Sequence, residues 1–175
     1  MEKSYKEYLE HITTFVFDVD GVLTDGDIIV TTEGEQYRTM NTKDGYALKT
    51  ALRQGFNVCI ISGGSNEGVR KRLEGLGLKD IYLGTHEKLT HLKEYVTIKN
   101  LKFENLIFMG DDLPDYPVMK VVGLPCAPQD AVPEIKAISK YVSHKNGGKG
   151  CVRDIIEQVL KVQGKWMQDF NANYD

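Results

Sequence analysis

The stretch Phe15-Val-Phe-Asp-Val-Asp-Gly-Val-Leu-Thr24 passes from apolar chain to paired carboxylates within a few residues. The β-branched and aromatic residues 14–17 predict a short buried strand. Asp18 and Asp20 then lie at and just beyond the carboxyl end of that strand, and Gly21 allows the backbone to turn sharply. Because two acids at the end of a buried strand are costly unless a positive charge binds there, we take this stretch as the candidate site.

The sequence around this stretch predicts alternating strands and helices. After a helical lead-in over 4–11, we predict strands at 58–61, 81–83, 106–109, 124–127 and 141–142, and helices over about 45–53, 67–76, 87–98, 117–121, 132–138 and 151–161. Apolar strands that alternate with helices are typical of parallel sheets covered on both faces. The prediction is therefore an α/β fold with a Rossmann-like doubly wound sheet, in a single domain over residues 1–175.

Two segments depart from this alternation. Residues 27–31 and 36–40 are β-rich and are joined by Thr32-Glu-Gly-Glu35, which predicts a small β-hairpin insertion over about 27–40. The sequence leaves no room for a cap domain. The tail over 163–175, with Trp166 and Phe170, has no strong period, and we expect it to be mobile or docked on a neighbouring subunit.

Length and composition exclude several classes of function. With 175 residues, 41% of them hydrophobic, the chain can bury one core of ordinary size. A net charge of -3 without a basic block argues against nucleic acid as a partner, and the lack of an apolar run of about 18 residues argues against a membrane. Three isolated cysteines lack the spacing of a disulfide framework or a zinc site. No signal peptide is expected, because Glu2, Glu7 and Glu10 interrupt the N-terminal segment, so we expect a cytoplasmic protein that acts on a small molecule.

Polar residues follow two further predicted strands. Ser62-Gly-Gly64 comes after the strand at 58–61, and Gly110-Asp-Asp112 comes after the strand at 106–109. In an open α/β sheet, ligands collect beyond the carboxyl ends of the strands. Each of these features alone is more often a turn or a helix cap, and Lys88 alone is more often a solvated charge. Their occurrence together, in this order, is much harder to explain by structure alone.

The acids of the opening stretch suit phosphoryl transfer. Asp18 is the candidate nucleophile, because a carboxylate can attack phosphorus and form an aspartyl-phosphate that water later removes. Asp20 can give a proton to the leaving alkoxide and then take one from the attacking water. Clustered carboxylates repel one another unless a cation is present, and an all-oxygen set suits Mg²⁺. We expect Asp18 and Asp111 to bind Mg²⁺ through their carboxylates and Asp20 through its backbone carbonyl.

Other residues are candidates for holding the phosphate or the substrate. Ser62 and the glycines after it can donate hydrogen bonds to a phosphate, and Lys88 can orient Asp18 and balance the phosphoryl charge. Asp112 and Asp115 are candidate supporting residues, and Asp115 has a suitable position to tether Lys88 or a metal-bound water. The candidate substrate contacts are Gly63, Arg70, Arg72 and Lys149, although a solvated helix face is the commoner role for the two arginines.

These residues resemble the haloacid dehalogenase superfamily of phosphotransferases, whose four motifs match Asp18-Val-Asp-Gly-Val22, Ser62, Lys88 and Gly110-Asp-Asp-Leu-Pro-Asp115 in order. Within it, Asn41-Thr-Lys-Asp-Gly45 and Gly147-Gly-Lys-Gly-Cys-Val-Arg153 look like the phosphatases of 3-deoxy-D-manno-octulosonate 8-phosphate, and this similarity covers about residues 13–165. The resemblance implies a Mg²⁺-dependent phosphatase of lipopolysaccharide sugar synthesis without a cap domain. It also implies a homotetramer in which the hairpins meet at the centre and a neighbouring subunit helps to close each active site.

Alternatives remain open at this point. Members of that family often carry arginine at the position of Gly64, so a nine-carbon 2-keto-3-deoxy sugar acid 9-phosphate is a close alternative substrate. A phospho-accepting signalling module that resembles a receiver domain is a non-enzymatic alternative. The chain order argues against it, because receivers place the acid pair first and the nucleophile later. Asp20 argues against it too, because a stable phospho-signal needs no acid-base group, and a phosphomutase would need a cap domain.

Overall fold

The computed structural model describes residues 4–168 and 170. Its strands are β1 (Thr14–Phe17), β2 (Ile29–Val30), β3 (Gln36–Tyr37), β4 (Asn57–Ile61), β5 (Asp80–Tyr82), β6 (Leu106–Met109), β7 (Leu124–Ala127) and β8 (Tyr141–Val142). Its helices are α1 (Tyr5–Leu9), α2 (Thr42–Arg53), α3 (Glu67–Gly75), α4 (Lys88–Ile98), α5 (Tyr116–Met119), α6 (Pro133–Ile138) and α7 (Cys151–Val162). None of the helices in this part of the chain has the length and apolarity that crossing a bilayer requires.

The strand order β5-β4-β1-β6-β7-β8 places β1 at the centre of a six-stranded sheet. Strand β1 is parallel to both of its neighbours, and Phe17 is opposite Ile60 on β4 and Met109 on β6. The three central strands therefore end side by side. In doubly wound sheets, the carboxyl edge at the point where the strand order reverses is the usual place for a ligand, and here that point is β1.

Helices cover both faces of the sheet, because successive side chains of a strand point to opposite sides. Phe15 and Phe17 pack into the core on the face covered by α1, α2, α3 and α7, whereas Val16 packs into the core under α4, α5 and α6. All four side chains of β1 are buried. The predicted α/β doubly wound fold is confirmed, and the described residues include the small hairpin of β2 and β3 but no cap domain.

Two element boundaries differ from the prediction. Helix α2 begins at Thr42 rather than near residue 45, because the side chain of Asn41 accepts the N–H of Lys43 at 2.8 Å and so caps the first turn. The hairpin strands are two residues long each rather than five, and their side chains are exposed. The hairpin is thus a short projection that the sheet does not cover.

The described part of the predicted tail packs on its own chain. The rings of Trp166 and Tyr46 meet edge to face with their centroids 6.4 Å apart, and the guanidinium of Arg153 lies 5.3 Å from the Trp166 ring. Residues 169 and 171–175 of that predicted tail lie outside the described residues.

A buried carboxyl joins α2 to the start of α7. Asp44 is 1% exposed, and its Oδ1 accepts the backbone N–H of Arg153 at 2.8 Å. Its Oδ2 is buried without a hydrogen-bond partner among the described residues. Burial raises the pKa of Asp44 from its usual range to about 6, against the hydrogen bonds that favour the ionised form. The charged carboxylate therefore weakens the fold above that pH.

We expect Asp44→Asn to change how stability depends on pH. Between about pH 4 and pH 6 the folded wild type keeps the Asp44 proton while the unfolded chain has lost it. Raising the pH from 4.5 to 7.5 should lower the free energy of unfolding of the wild type by roughly 2 kcal/mol relative to the variant. Urea unfolding of both proteins at pH 4.5 and 7.5, with exposed Asp27→Asn as the control, measures this difference. Parallel pH profiles for wild type and Asp44→Asn would contradict it.

Candidate active site

The structure brings the polar ends of three neighbouring strands together. Asp18 follows the last residue of β1, and its backbone N–H donates to the carbonyl of Met109 on β6 at 3.2 Å. Ser62 follows β4 directly, and Gly110 follows β6 directly. The register of the three strands therefore sets the distances within the site, because each group is only one residue beyond a fixed ladder.

A buried ammonium lies between two buried carboxylates at this edge. Nζ of Lys88 is 2.7 Å from Oδ2 of Asp18 and 2.7 Å from Oδ1 of Asp115. The other oxygen of Asp18 accepts the N–H of Val19 at 2.7 Å, so both of its oxygens are held. Burial alone would lower the pKa of Lys88, but the carboxylates of Asp18 and Asp115 outweigh burial and raise that pKa above its ordinary value. Lys88 is therefore charged at neutral pH.

The acids around Lys88 outnumber it. The pKa of Asp111 is raised to about 7, mainly by burial and also by the nearby carboxylates of Asp115, Asp18 and Asp112, with Lys88 opposing them. The pKa of Asp115 is raised to about 6 by burial and by the carboxylate of Asp18, against the opposing effect of Lys88. The cluster thus has an excess of negative charge that protons relieve when no other cation is bound.

Two glycines allow the backbone to come this close. Gly21 has φ +83°, and a Cβ built there would be 1.9 Å from Oδ2 of Asp111. A Cβ at Gly110 would be 2.4 Å from the side chain of Asp115. Any other residue at either position would displace a carboxylate of the site. Asp115 in turn accepts the N–H of Asp111 at 3.0 Å through Oδ2, so it braces Asp111 as well as Lys88.

Asp20 is held by a residue that the sequence analysis missed. Arg38, just beyond β3, has Nε 2.6 Å from Oδ1 of Asp20 and Nη2 3.2 Å from Oδ2. Both oxygens of the Asp20 carboxylate therefore bind the hairpin residue Arg38. The acidic cluster among the described residues consists of Asp18, Asp111 and Asp115. The sequence did carry a signal, because Arg38 is the one basic residue between Asp18 and Thr42, a stretch that contains five acids besides Asp18.

These groups open into one cavity of about 440 Å³. It is lined by Asp18, Asp20, Gly21, Gly26, Ser62, Gly63, Gly64, Thr85, His86, Lys88, Asp111, Asp112, Pro114 and Asp115. Ser62 is buried at its edge, and its Oγ is 3.4 Å from the backbone nitrogen of Gly64. Asp112 is exposed, and its side chain caps the short turn at 113–115 by accepting the N–H of Leu113 at 2.7 Å. Thr85 and His86 are lining residues that the sequence analysis did not select.

The other predicted substrate contacts lie outside this lining in the described part of the chain. Arg70 donates to the carbonyl of Ile81 at 3.4 Å. Arg72 lines a neighbouring groove of about 380 Å³, which Arg38 also lines. Lys149 is exposed, with Nζ 3.1 Å from Oδ2 of Asp25. Gly63 is the one predicted substrate contact among the residues that line the 440 Å³ cavity.

Known proteins share both this sequence and this fold. A family model described as haloacid dehalogenase-like hydrolase matches residues 80–155. The 3-deoxy-D-manno-octulosonate 8-phosphate phosphatase of Salmonella typhi is 38% identical over 156 residues, which cover 89% of this chain and 83% of that protein. The chain belongs to the haloacid dehalogenase-like hydrolases. It is a phosphatase of that family, and the predicted resemblance is confirmed.

Solved structures support the assignment of this chain to the haloacid dehalogenase-like hydrolases. The Yersinia pestis 3-deoxy-D-manno-octulosonate 8-phosphate phosphatase superposes with a TM-score of 0.92 at 32% identity, covering 96% of this chain and 91% of that chain. The same phosphatase from Moraxella catarrhalis, solved in complex with a magnesium ion, a phosphate ion and a KDO molecule, has a TM-score of 0.89 at 32% identity and covers 93% of both chains. The receiver-like alternative is therefore set aside, because this family is enzymatic.

The donor set of the hydrolase fits a divalent cation. One carboxylate oxygen from each of Asp18, Asp111 and Asp115 lies within 4.8 Å of the others. These are hard oxygen ligands with an uncompensated negative charge, which is the chemistry that Mg²⁺ prefers. Both oxygens of Asp115 already accept hydrogen bonds from Lys88 and Asp111, so its role here is to hold those two residues. Asp18 likewise accepts on both oxygens, from Lys88 and Val19, and because each carboxylate oxygen has a further lone pair, all three acids can contribute to a cation site.

We expect Lys88→Met to lower phosphatase activity by about 10²-fold or more, because the variant lacks the positive charge beside Asp18. It should also lower the free energy of unfolding of the metal-free protein by roughly 3 kcal/mol, since two buried carboxylates lose their partner. Steady-state phosphate release and urea unfolding check both effects. Lys93→Met, which removes an exposed lysine from the same helix, is the matched control. Activity near that of the wild type would contradict the role of Lys88.

Proposed function

We propose that this phosphatase hydrolyses the phosphomonoester of a 2-keto-3-deoxy sugar acid through an aspartyl-phosphate on Asp18, with 3-deoxy-D-manno-octulosonate 8-phosphate as its substrate in lipopolysaccharide precursor synthesis. The observation that carries the proposal is the meeting of Asp18, Lys88 and Asp111 in one cavity, with Asp20 on its wall. The Salmonella and Moraxella relatives, whose names carry this substrate, support the choice of sugar acid.

The proposed reaction has two balanced steps. In the first, a carboxylate oxygen of Asp18 forms a bond to phosphorus, the bond from phosphorus to the sugar oxygen breaks, and Asp20 gives its proton to that oxygen. In the second, water attacks the same phosphorus, Asp20 takes the proton, and the bond from phosphorus to Asp18 breaks to release inorganic phosphate. Lys88 stays beside Asp18 throughout and offsets the charge that gathers on the phosphoryl oxygens.

Mg²⁺ is the proposed cofactor, and Asp18, Asp111 and the backbone carbonyl of Asp20 are the proposed groups that hold it. When bound, it would supply positive charge to the phosphate and remove the mutual repulsion of the acids. The magnesium ion in the Moraxella structure supports this choice. Ser62 and the amides of Gly63 and Gly64 are the proposed donors to the remaining phosphate oxygens, because they line the same cavity.

Substitution of the two acids tests the mechanism. We expect Asp18→Asn to abolish Mg²⁺-dependent phosphate release, because an amide oxygen is a poor nucleophile toward phosphorus. Asp20→Asn should lower kcat by about 10²-fold or more, since it lacks an exchangeable acid-base proton. Release of phosphate from a panel of phosphomonoesters, followed with and without EDTA, measures both effects. Undiminished turnover in Asp18→Asn would remove the aspartyl-phosphate from consideration.

The same panel decides the substrate. It should contain the eight-carbon and nine-carbon 2-keto-3-deoxy sugar acid phosphates and hexose 6-phosphates. We expect the highest kcat/KM on 3-deoxy-D-manno-octulosonate 8-phosphate, and a higher value on the nine-carbon 9-phosphate would replace it as the substrate. The nine-carbon substrate has a structural basis. Gly64 adds no side chain to the cavity wall, whereas members of the family that the chain resembles often carry arginine at that position.

A homotetramer is part of the proposal. The hairpin exposes Ile28, Ile29, Val30 and Tyr37, with Ile29 61% and Val30 64% exposed. A short two-stranded ribbon with an apolar surface is a feature that neighbouring subunits cover. We propose that hairpins of neighbouring subunits pack together there.

Three buried free cysteines support the proposed cytoplasmic location, because reducing compartments preserve thiols.

We expect Val30→Glu to dissociate the assembly, because it places a charge in the proposed hairpin interface. Sedimentation velocity on the wild type and the variant at equal concentrations measures the mass. Ile98→Glu is the control, since Ile98 is 75% exposed on α4, away from the hairpin. A wild type that sediments as a monomer, or a Val30→Glu variant that keeps the wild-type mass, would contradict the hairpin interface.

A further inference from the structure

The guanidinium of Arg38 is buried against the proposed acid-base residue. Its side chain is 6% exposed, whereas that of Asp20 is 32% exposed and open to the catalytic cavity. Nη1 of Arg38 is buried without a hydrogen-bond partner among the described residues. The compensation for burying this charge therefore comes from Asp20, which accepts from both Nε and Nη2. Such deep burial is unusual for a charged side chain that starts from an exposed hairpin.

The two hydrogen bonds from the forked guanidinium of Arg38 to the carboxylate of Asp20 differ in length. Nε lies 2.6 Å from Oδ1, which is a short charge-assisted hydrogen bond, and Nη2 lies 3.2 Å from Oδ2, which is a weaker one. A planar guanidinium that holds both oxygens fixes the plane of the carboxylate as well as its position. Oδ1 is thus the anchored oxygen, and Oδ2 is the oxygen that can exchange its weaker hydrogen bond for a proton.

Two neighbouring residues support the contact between Arg38 and Asp20: Gly64 leaves space beside it, and Asn66 holds the hairpin in place. A Cβ built at Gly64 would lie 3.1 Å from Oδ2 of Asp20 and 3.6 Å from Nη2 of Arg38, so a glycine there gives Oδ2 its space. The side-chain amide of Asn66 donates to the carbonyl of Gln36 at 2.9 Å, which fastens the hairpin to the start of α3. The backbone that carries Arg38 is therefore tied to the domain two residues earlier.

We propose that Arg38 is a positioning residue for the acid-base step: it anchors Oδ1 of Asp20 through Nε, so that Oδ2 moves the proton to and from the reacting oxygen. This inference rests on the proposed function, which assigns the acid-base role to Asp20. Loss of the guanidinium leaves Asp20 in place but free to turn about its side-chain bonds. The chemical step then slows, while binding of the phosphate by other residues is kept.

The dependence on the leaving group tests this role. An alkyl phosphate needs a proton on its leaving oxygen, whereas p-nitrophenyl phosphate releases a stable phenolate without one. We expect Arg38→Met to lower kcat/KM for 3-deoxy-D-manno-octulosonate 8-phosphate by about 10²-fold and that for p-nitrophenyl phosphate by less than about 10-fold. Arg38→Lys, which keeps the charge without the fork, should fall between wild type and Arg38→Met. Lys93→Met, which removes one exposed positive charge, is the control for net charge.

Two further measurements separate positioning from a loss of fold. In an Asp20→Asn background, Arg38→Met should change kcat/KM by less than about threefold, because it acts through Asp20. Millimolar guanidinium ion should restore activity to Arg38→Ala and leave the wild type unchanged. Equal losses on both phosphates, or a full additional loss in the Asp20→Asn background, would overturn the inference while the phosphatase mechanism stands. If the wild type released no phosphate from any alkyl phosphate, the proposed function would fail and the role of Arg38 with it.

Discussion

The buried ammonium of Lys88 between Asp18 and Asp115 is the interaction on which the active site depends. Burying one carboxylate beside a strand end is costly, and burying two is possible only with a cation held at hydrogen-bond distance from both. Asp111 adds a third carboxyl to this group, so full ionisation leaves two negative charges uncompensated. Burial raises the pKa of Asp111 to about 7 and that of Asp115 to about 6, and the neighbouring carboxylates contribute to both shifts. Binding of a divalent cation and release of these protons are therefore linked.

The fold supplies this arrangement through backbone register more than through side-chain packing. Strand β1 is the central strand, so its carboxyl end has a neighbour on each side, and Asp18 is one residue from the ladder that fixes it. Lys88 comes from the first residue of α4, and Asp115 comes from the short turn after β6. Each charged group is thus attached to a rigid element by a very short segment. Such attachment keeps the distances fixed without the substrate, which is what preorganised electrostatic catalysis requires.

The sequence was sufficient for those parts of the molecule that local pattern decides. The apolar runs 106–109 and 124–127 match β6 and β7 residue for residue, because a buried parallel strand must be apolar along its length. Helix α2 was placed three residues too late because its start depends on a side-chain cap from Asn41 and not on the apolar period. The contact of Arg38 with Asp20 was missed for a different reason. The path of a hairpin is set by tertiary contacts such as that of Asn66 with Gln36, and no period in the sequence encodes them.

The hairpin gives Asp20, the proposed acid-base residue, a second attachment, which links the proposed assembly to the proposed catalysis. Asp20 is three residues beyond the end of β1, and the guanidinium of Arg38 connects it to the hairpin. Ile29 and Val30 lie on strand β2 of the same hairpin. Ile29 pairs with Tyr37 on β3, and Tyr37 is the residue before Arg38. A subunit that packed on Ile29 and Val30 would fix the backbone from which Arg38 reaches Asp20. The proposed phosphate contacts of Lys88 and Ser62 have no such dependence, because Ser62 directly follows β4 and Lys88 is the first residue of α4. Loss of the hairpin contact should therefore weaken proton transfer while leaving the anion site intact.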